Sequence, residues 1–123
     1  MKKILIIEDE LSYTRLLNDQ LVKNGYSVLK AKNGKEGLKK AKKENPDLIL
    51  LDIRMPQMDG MKMLELLRKD EAGKKIKVII LTNLEPDDKI ITGVLNDQPL
   101  YYFVKSDIEL KDLLIEIKKL LTV

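Results

Sequence analysis

The chain has no cysteine, no histidine and no tryptophan. Without cysteine there are neither disulfides nor thiolate metal sites. Without histidine, imidazole catalysis and His-ligated zinc are excluded. Aromatic residues are scarce, four tyrosines and one phenylalanine. No stacking platform, zinc-finger pattern or basic-zipper pattern is present, which argues against direct nucleic-acid recognition. Long hydrophobic runs are missing too: the longest, Leu100 to Val104, is far too short to span a bilayer. No signal peptide is expected, because Lys2 and Lys3 lead straight into Ile4-Leu5-Ile6-Ile7. A soluble, cytoplasmic protein with no membrane partner is the expectation. The net charge of +3 reflects 23 basic against 20 acidic residues. They are interspersed, as in Lys39-Lys40-Ala41-Lys42-Lys43-Glu44, and read as solvated helix faces.

What remains is a pattern. At 123 residues the chain fits one domain, expected to cover 1–123, with a core that needs no staples. Ile4 to Ile7, Leu48 to Leu51 and Val78 to Leu81 are strand-length blocks, apolar on both faces. Such blocks suit the centre of a parallel sheet covered by helices on either side. Tyr26 to Ala31 and Tyr101 to Val104 read as edge strands. Between them the periodicity predicts helices over Leu11–Lys23, Lys35–Glu44, Met61–Lys69, Pro86 to about Asn96, and Glu109–Leu121. The first carries Tyr13, Leu17 and Leu21 at four-residue spacing, and the last carries Leu110, Leu113, Leu114, Ile117 and Leu121 on one stripe. Gly25 and Asn45-Pro46 stand where helices should stop. Five strand–helix units in strict alternation, without repeats or linkers, predict an α/β fold with a doubly wound parallel sheet. Right-handed crossovers favour the flavodoxin-like form, strand order 2-1-3-4-5 with five helices.

Ligands of such sheets bind beyond the carboxyl ends of the strands. Those positions hold Glu8, Asp9 and Glu10 after the first strand, Asp52 after the third, Thr82 after the fourth and Lys105 after the fifth. Glu8, Asp9 and Asp52 are hard oxygen donors that suit Mg²⁺, and without a cation they would repel one another. Lys105 can offset that charge or pair with a phosphoryl oxygen, and Thr82 can donate to an anion. A carboxylate beside Mg²⁺, lysine and threonine can act as a covalent phosphoryl acceptor. Singly, each residue could be a helix cap, a turn hydroxyl or a solvated charge. Their coincidence at four strand ends favours the chemical reading. Met55, Met58, Met61 and Met63 read as core filling and loop anchors rather than a partner groove.

Asp52-Ile53-Arg54-Met55-Pro56, followed by Met58-Asp59-Gly60, resembles the phosphoacceptor loop of response-regulator receiver domains, and the resemblance covers essentially the whole chain. Glu8-Asp9 matches that family's acidic pair, Thr82 its hydroxyl and Lys105 its lysine. The resemblance implies that Asp52 is phosphorylated, by a sensor histidine kinase or a phosphotransfer protein. It further implies that Asp9, Asp52 and the backbone carbonyl of Arg54 bind Mg²⁺, with Glu8 assisting through water. Thr82 and Tyr102 would form the switch that presents a binding face to a downstream protein effector. Three positions depart from the family pattern. Ser106 stands where a proline commonly follows the lysine, which leaves the Lys105–Ser106 bond geometry open. Asn83 replaces a smaller residue, and Gln98-Pro99 replaces Gly-Ala.

The competing readings are a degenerate receiver acting as a phosphorylation-independent scaffold, a phosphohydrolase and a flavin carrier. The hydrolase would want a second aspartate two residues after the nucleophile, where Arg54 stands. The carrier would want a Ser/Thr-rich loop after the first strand. A switch rather than an enzyme is therefore expected.

Overall fold

The computed structural model describes residues 1–122. The strands are β1 (Lys3–Ile7), β2 (Ser27–Ala31), β3 (Leu48–Leu51), β4 (Lys77–Thr82) and β5 (Tyr101–Val104). They alternate with the helices α1 (Leu11–Lys23), α2 (Gly34–Glu44), α3 (Gly60–Lys69), α4 (Asp88–Asp97) and α5 (Leu110–Leu121). All strand pairs are parallel, in the order β2-β1-β3-β4-β5, so the expected flavodoxin-like topology and both edge strands are observed.

Side chains on successive strand residues point to opposite faces, and here the alternation divides one sheet between two cores. Leu5, Ile7, Ile49, Leu51, Val78 and Ile80 pack with Ala41, Met63, Leu64 and Leu67, from α2 and α3. Ile4, Ile6, Leu48, Leu50, Ile79 and Leu81 pack on the opposite face with Leu17, Leu21, Leu113, Ile117 and Leu121, from α1 and α5. Burial on both faces is the reason these strands are continuous apolar blocks rather than alternating ones. Of the four methionines read as core filling, Met63 is fully buried, while Met55, Met58 and Met61 are half-buried against the first cluster, with Met55 and Met61 also lining a groove between α3 and α4.

Local signals set the boundaries. Asn33, Asp59 and Asp87 accept hydrogen bonds from the backbone N–H groups of Glu36, Lys62 and Ile90, capping α2, α3 and α4. The fourth helix therefore starts at Asp88, not Pro86, because the Asp87 side chain ties off its first turn. The α1 terminus is followed by Gly25 at φ 90°, a conformation glycine adopts freely. Asn45 and Gln98, each just before a proline, end α2 and α4 in the left-handed region.

α4 differs from the other helices in having no fully buried residue. Its carboxyl end is held by Arg68 of α3. The guanidinium donates to the carbonyls of Asp97 (2.8 Å), Gly73 (2.9 Å) and Ile76 (2.8 Å), joining α3, the following loop and α4.

Candidate functional site

The carboxyl ends of β1, β3, β4 and β5 surround a cleft of about 280 Å³. Its walls are Glu8, Asp9, Glu10, Asp52, Arg54, Thr82, Asn83, Leu84 and Lys105. All the strand-end residues named from the sequence thus meet in one place, and only Tyr102 lies outside the cleft wall.

Asp52 continues β3, its N–H bonded to the Ile7 carbonyl at 3.0 Å, which sets it beside the end of β1. The loop after it closes tightly, with the Gly60 N–H donating to the Ile53 carbonyl at 2.8 Å. A Cβ on Gly60 would lie 2.3 Å from the Asp52 carbonyl oxygen. Only glycine lets α3 begin this close to Asp52, which explains the Asp59-Gly60 pair. The Arg54 N–H points at Asp52 Oδ1 from 3.4 Å.

Lys105 follows β5, its backbone N–H donating to the Thr82 carbonyl at 2.7 Å, and the Lys105–Ser106 bond is trans. The ammonium reaches across the cleft to Glu8 Oε1 at 2.5 Å and Asp52 Oδ2 at 3.2 Å. All three side chains are about nine-tenths buried or more. Carboxylate oxygens of Glu8, Asp9 and Asp52 lie within 4.8 Å of one another, with Asp9 the exposed member.

The electrostatics follow from crowding. Burial pushes the Glu8 carboxyl up to about 7, against the downward pull of the Lys105 bond and the Glu10 N–H, while Asp52 adds repulsion. Burial works against the Lys105 ammonium as well, but Glu8 and Asp52 outweigh it and hold the lysine above its ordinary value. One ammonium therefore serves two carboxylates in a cluster of three. An oxygen-lined, partly open, net-acidic site of this kind fits a hard divalent cation that keeps some of its water, as Mg²⁺ does.

Thr82 is buried at the end of β4, and its Oγ1 lies 3.5 Å from the Leu84 N–H. Tyr102 is half-buried on β5, and its hydroxyl donates to the Leu84 carbonyl at 2.7 Å. Thr82 and Tyr102 therefore address the two sides of one residue in the loop leading to α4.

Sequence reasoning missed Tyr13, which the periodicity gave only as part of the apolar stripe of α1. Its ring lies under the Lys105 ammonium, with Nζ 4.2 Å from the centroid. The four-residue spacing signals a buried face, but nothing local says that its neighbour is a charge from a segment some ninety residues away.

A doubly wound sheet of this order, with acids, a hydroxyl and an ammonium converging at its carboxyl edge, is a flavodoxin-like domain of the CheY type. Residues 4–118 match the sequence profile of the response regulator receiver domain, and the chain belongs to that family. It is 40% identical over 91 residues to the alkaline phosphatase synthesis transcriptional regulatory protein PhoP of Bacillus subtilis, covering 73% of this chain but only 37% of PhoP. Protein PilH of Pseudomonas aeruginosa is 40% identical over 93 residues, 76% of this chain and 77% of PilH. Among solved structures, the response regulator protein TrrA of Thermotoga maritima, in complex with Mg²⁺ and BeF, superposes with a TM-score of 0.85. It is 36% identical, with 98% of this chain and 100% of TrrA covered. Receiver domains are signalling modules of two-component phosphorelays. They bind Mg²⁺ at an acidic pocket and interact with histidine kinases or phosphotransfer proteins and with effectors.

Proposed function

We propose that this protein is a phosphorylation-dependent switch in which Asp52 accepts a phosphoryl group in a Mg²⁺-dependent reaction. The observation that carries the reading is the Lys105 ammonium seated between Glu8 and Asp52 in a cleft that also presents Thr82. Asp9, Asp52 and the Arg54 carbonyl would hold the metal, with Glu8 assisting through water. When bound, Mg²⁺ supplies positive charge opposite the oxygens of the transferring group.

The protein's own residues account for the remaining chemistry. An Asp52 carboxylate oxygen attacks phosphorus, and a P–O bond forms as the donor's bond to phosphorus breaks. The electron pair leaves with the donor group, which takes up a proton. Lys105 pairs with a phosphoryl oxygen, so negative charge gathers where positive charge already stands. Nothing needs to remove a proton from Asp52, because the carboxylate is the nucleophile. Arg54 stands where a hydrolase would want a general base, so the product is expected to persist.

Thr82 and Tyr102 carry the consequence outward. The Thr82 hydroxyl can donate to an oxygen of the new group, and doing so draws it from the Leu84 N–H. Tyr102 is bonded to the carbonyl of that same Leu84, so the loop entering α4 shifts between two sets of partners. The donor is a sensor histidine kinase or a phosphotransfer protein, and the readout is binding to a downstream protein. The setting is cytoplasmic. Among the described residues no helix is long and apolar enough to cross a membrane.

Intact mass tests the reading. Incubation with Mg²⁺ and acetyl phosphate should add one phosphoryl group, located on Asp52. The adduct should be absent without Mg²⁺ and absent in Asp52→Ala. An adduct that persists in that variant, or none in the parent with several donors, would overturn it.

A further inference from the structure

Among the described residues, Tyr13 is the aromatic residue that faces the Lys105 ammonium of the site. A lysine ammonium has three N–H donors. Those of Lys105 are addressed by Glu8 at 2.5 Å, by Asp52 at 3.2 Å and, on a third side, by the Tyr13 ring at 4.2 Å. The lysine side chain is only 10% exposed, so the ring takes a place that water would otherwise fill. An aromatic face is negative at its centre and attracts a cation set over it, most strongly where water is excluded.

The ring also solves a problem of placement. Lysine carries a compact charge on a flexible four-carbon stem, with considerable rotamer freedom to lose. Two carboxylates alone would let the ammonium follow whichever of them moved. Tyr13 belongs to α1, whose Leu17 and Leu21 are anchored in the core shared with α5. The ring is therefore held by the core that anchors α1, apart from the loop that bears Asp52. A ring that gives up no proton and makes no directional bond can hold the ammonium while its oxygen partners are exchanged.

We infer that Tyr13 is a positioning residue, which seats the Lys105 ammonium by a cation–π contact and so keeps it aimed at the oxygens of the group arriving on Asp52. The inference rests on the phosphoryl-acceptor reading for its purpose, but not for the contact itself. The plainer account is that Tyr13 only fills space at the head of the α1 stripe. The two accounts differ over Tyr13→Leu, which keeps apolar bulk and removes the π face, and over Tyr13→Phe, which keeps the face and removes the hydroxyl.

Two measurements separate them. In the protein without Mg²⁺ or donor, the Lys105 ε-methylene protons should resonate upfield of ordinary lysine values, shielded by the ring. That shift should survive in Tyr13→Phe and vanish in Tyr13→Leu. With Mg²⁺ and acetyl phosphate, the phosphorylation rate constant of Tyr13→Phe should lie within about twofold of the parent. Tyr13→Leu should fall roughly three- to tenfold, the range expected for a partly desolvated cation–π contact. Should Tyr13→Leu fold poorly, pentafluorophenylalanine at position 13 keeps the shape but reverses the ring quadrupole, and should show the same loss of rate. Ordinary Lys105 shifts in the parent overturn the inference, as does a Tyr13→Leu or pentafluorophenylalanine protein phosphorylated as fast as the parent. A parent that takes up no phosphoryl group overturns the proposed function instead, and the Lys105 shifts still decide whether Tyr13 seats the lysine.

Discussion

Between the centre of the sheet and its α4–β5 flank, the same chain packs in two different ways. Every residue of Ile4–Ile7 and Leu48–Leu51 is buried, and both strands are covered by helices on both faces. Across the molecule α4 buries none of its residues fully, Ile91 and Leu95 face solvent, and Tyr101 of β5 stacks on Phe103 at the edge. The charges are divided just as unevenly. Three carboxylates and one ammonium crowd the end of the dense centre, while the loose flank is held by the Arg68 guanidinium, which donates charge-assisted bonds to neutral backbone carbonyls. The acidic cleft sits on the densely packed part, and under the proposed switch the element that would respond to it sits where motion costs least.

The largest effect that would test this contrast is a pair of truncations. Leu51→Ala opens a cavity at the centre of the sheet and is expected to cost about 3 kcal/mol in urea unfolding. Val94→Ala, on the inner side of α4, is expected to cost about 1 kcal/mol or less. Equal losses would mean that α4 is as firmly packed as β3.

The next effect is electrostatic and belongs to the centre alone. The Glu8 carboxyl stands at about 7 in the fold against an ordinary 4.5, so the folded state holds that proton more tightly than the unfolded chain does. Its contribution to stability is fully present below about pH 4.5 and is lost as pH rises through about 7. The loss is on the order of 3 kcal/mol in metal-free protein. Glu8→Gln should therefore flatten the stability profile between pH 5 and pH 8, measured by urea unfolding in a chelator. Asp52→Asn relieves the same crowding, and should raise the metal-free melting temperature and weaken stabilisation by Mg²⁺. A parent profile that rises across this interval, or one that Glu8→Gln leaves unchanged, would remove Glu8 as its source.

The smallest effect belongs to the flank. Arg68→Ala leaves the carbonyls of Gly73, Ile76 and Asp97 without their donor, a cost of about 1–2 kcal/mol. Amide hydrogen exchange should quicken by on the order of tenfold in α4, with β1 and β3 unchanged. Faster exchange in the central strands would show that the two regions open together.

The legibility of the sequence follows the same division. Ile4–Ile7, Leu48–Leu51 and Val78–Leu81 are readable as central strands because burial on both faces forbids polar residues there. The topology then puts Glu8, Asp9, Asp52, Thr82 and Lys105 on one rim without any knowledge of their distances. The start of α4 was misplaced by two residues, since proline and aspartate both open helices and only the Asp87 bond to the Ile90 N–H decides between them. Arg68 reads as one more solvated charge on α3, because its partners are carbonyls, which no residue type advertises. Tyr13 was assigned to the right face for only part of the reason. Periodicity reports how deep a side chain lies, not which charge it lies against.

The ion pair between Lys105 and Glu8 joins positions 97 residues apart, and that separation bears on how the protein is made. During synthesis, Glu8, Asp9 and Asp52 emerge well before the segment that carries their counter-charge. A nascent chain that has reached β4 holds every acid of the cleft and no ammonium, and it lacks the outer strand on which Lys105 rides. Closing a loop of that length is slow compared with forming local helices, so the cleft is expected to assemble late. On the proposed reading, an unfinished copy would hold Asp52 without the lysine that completes its site.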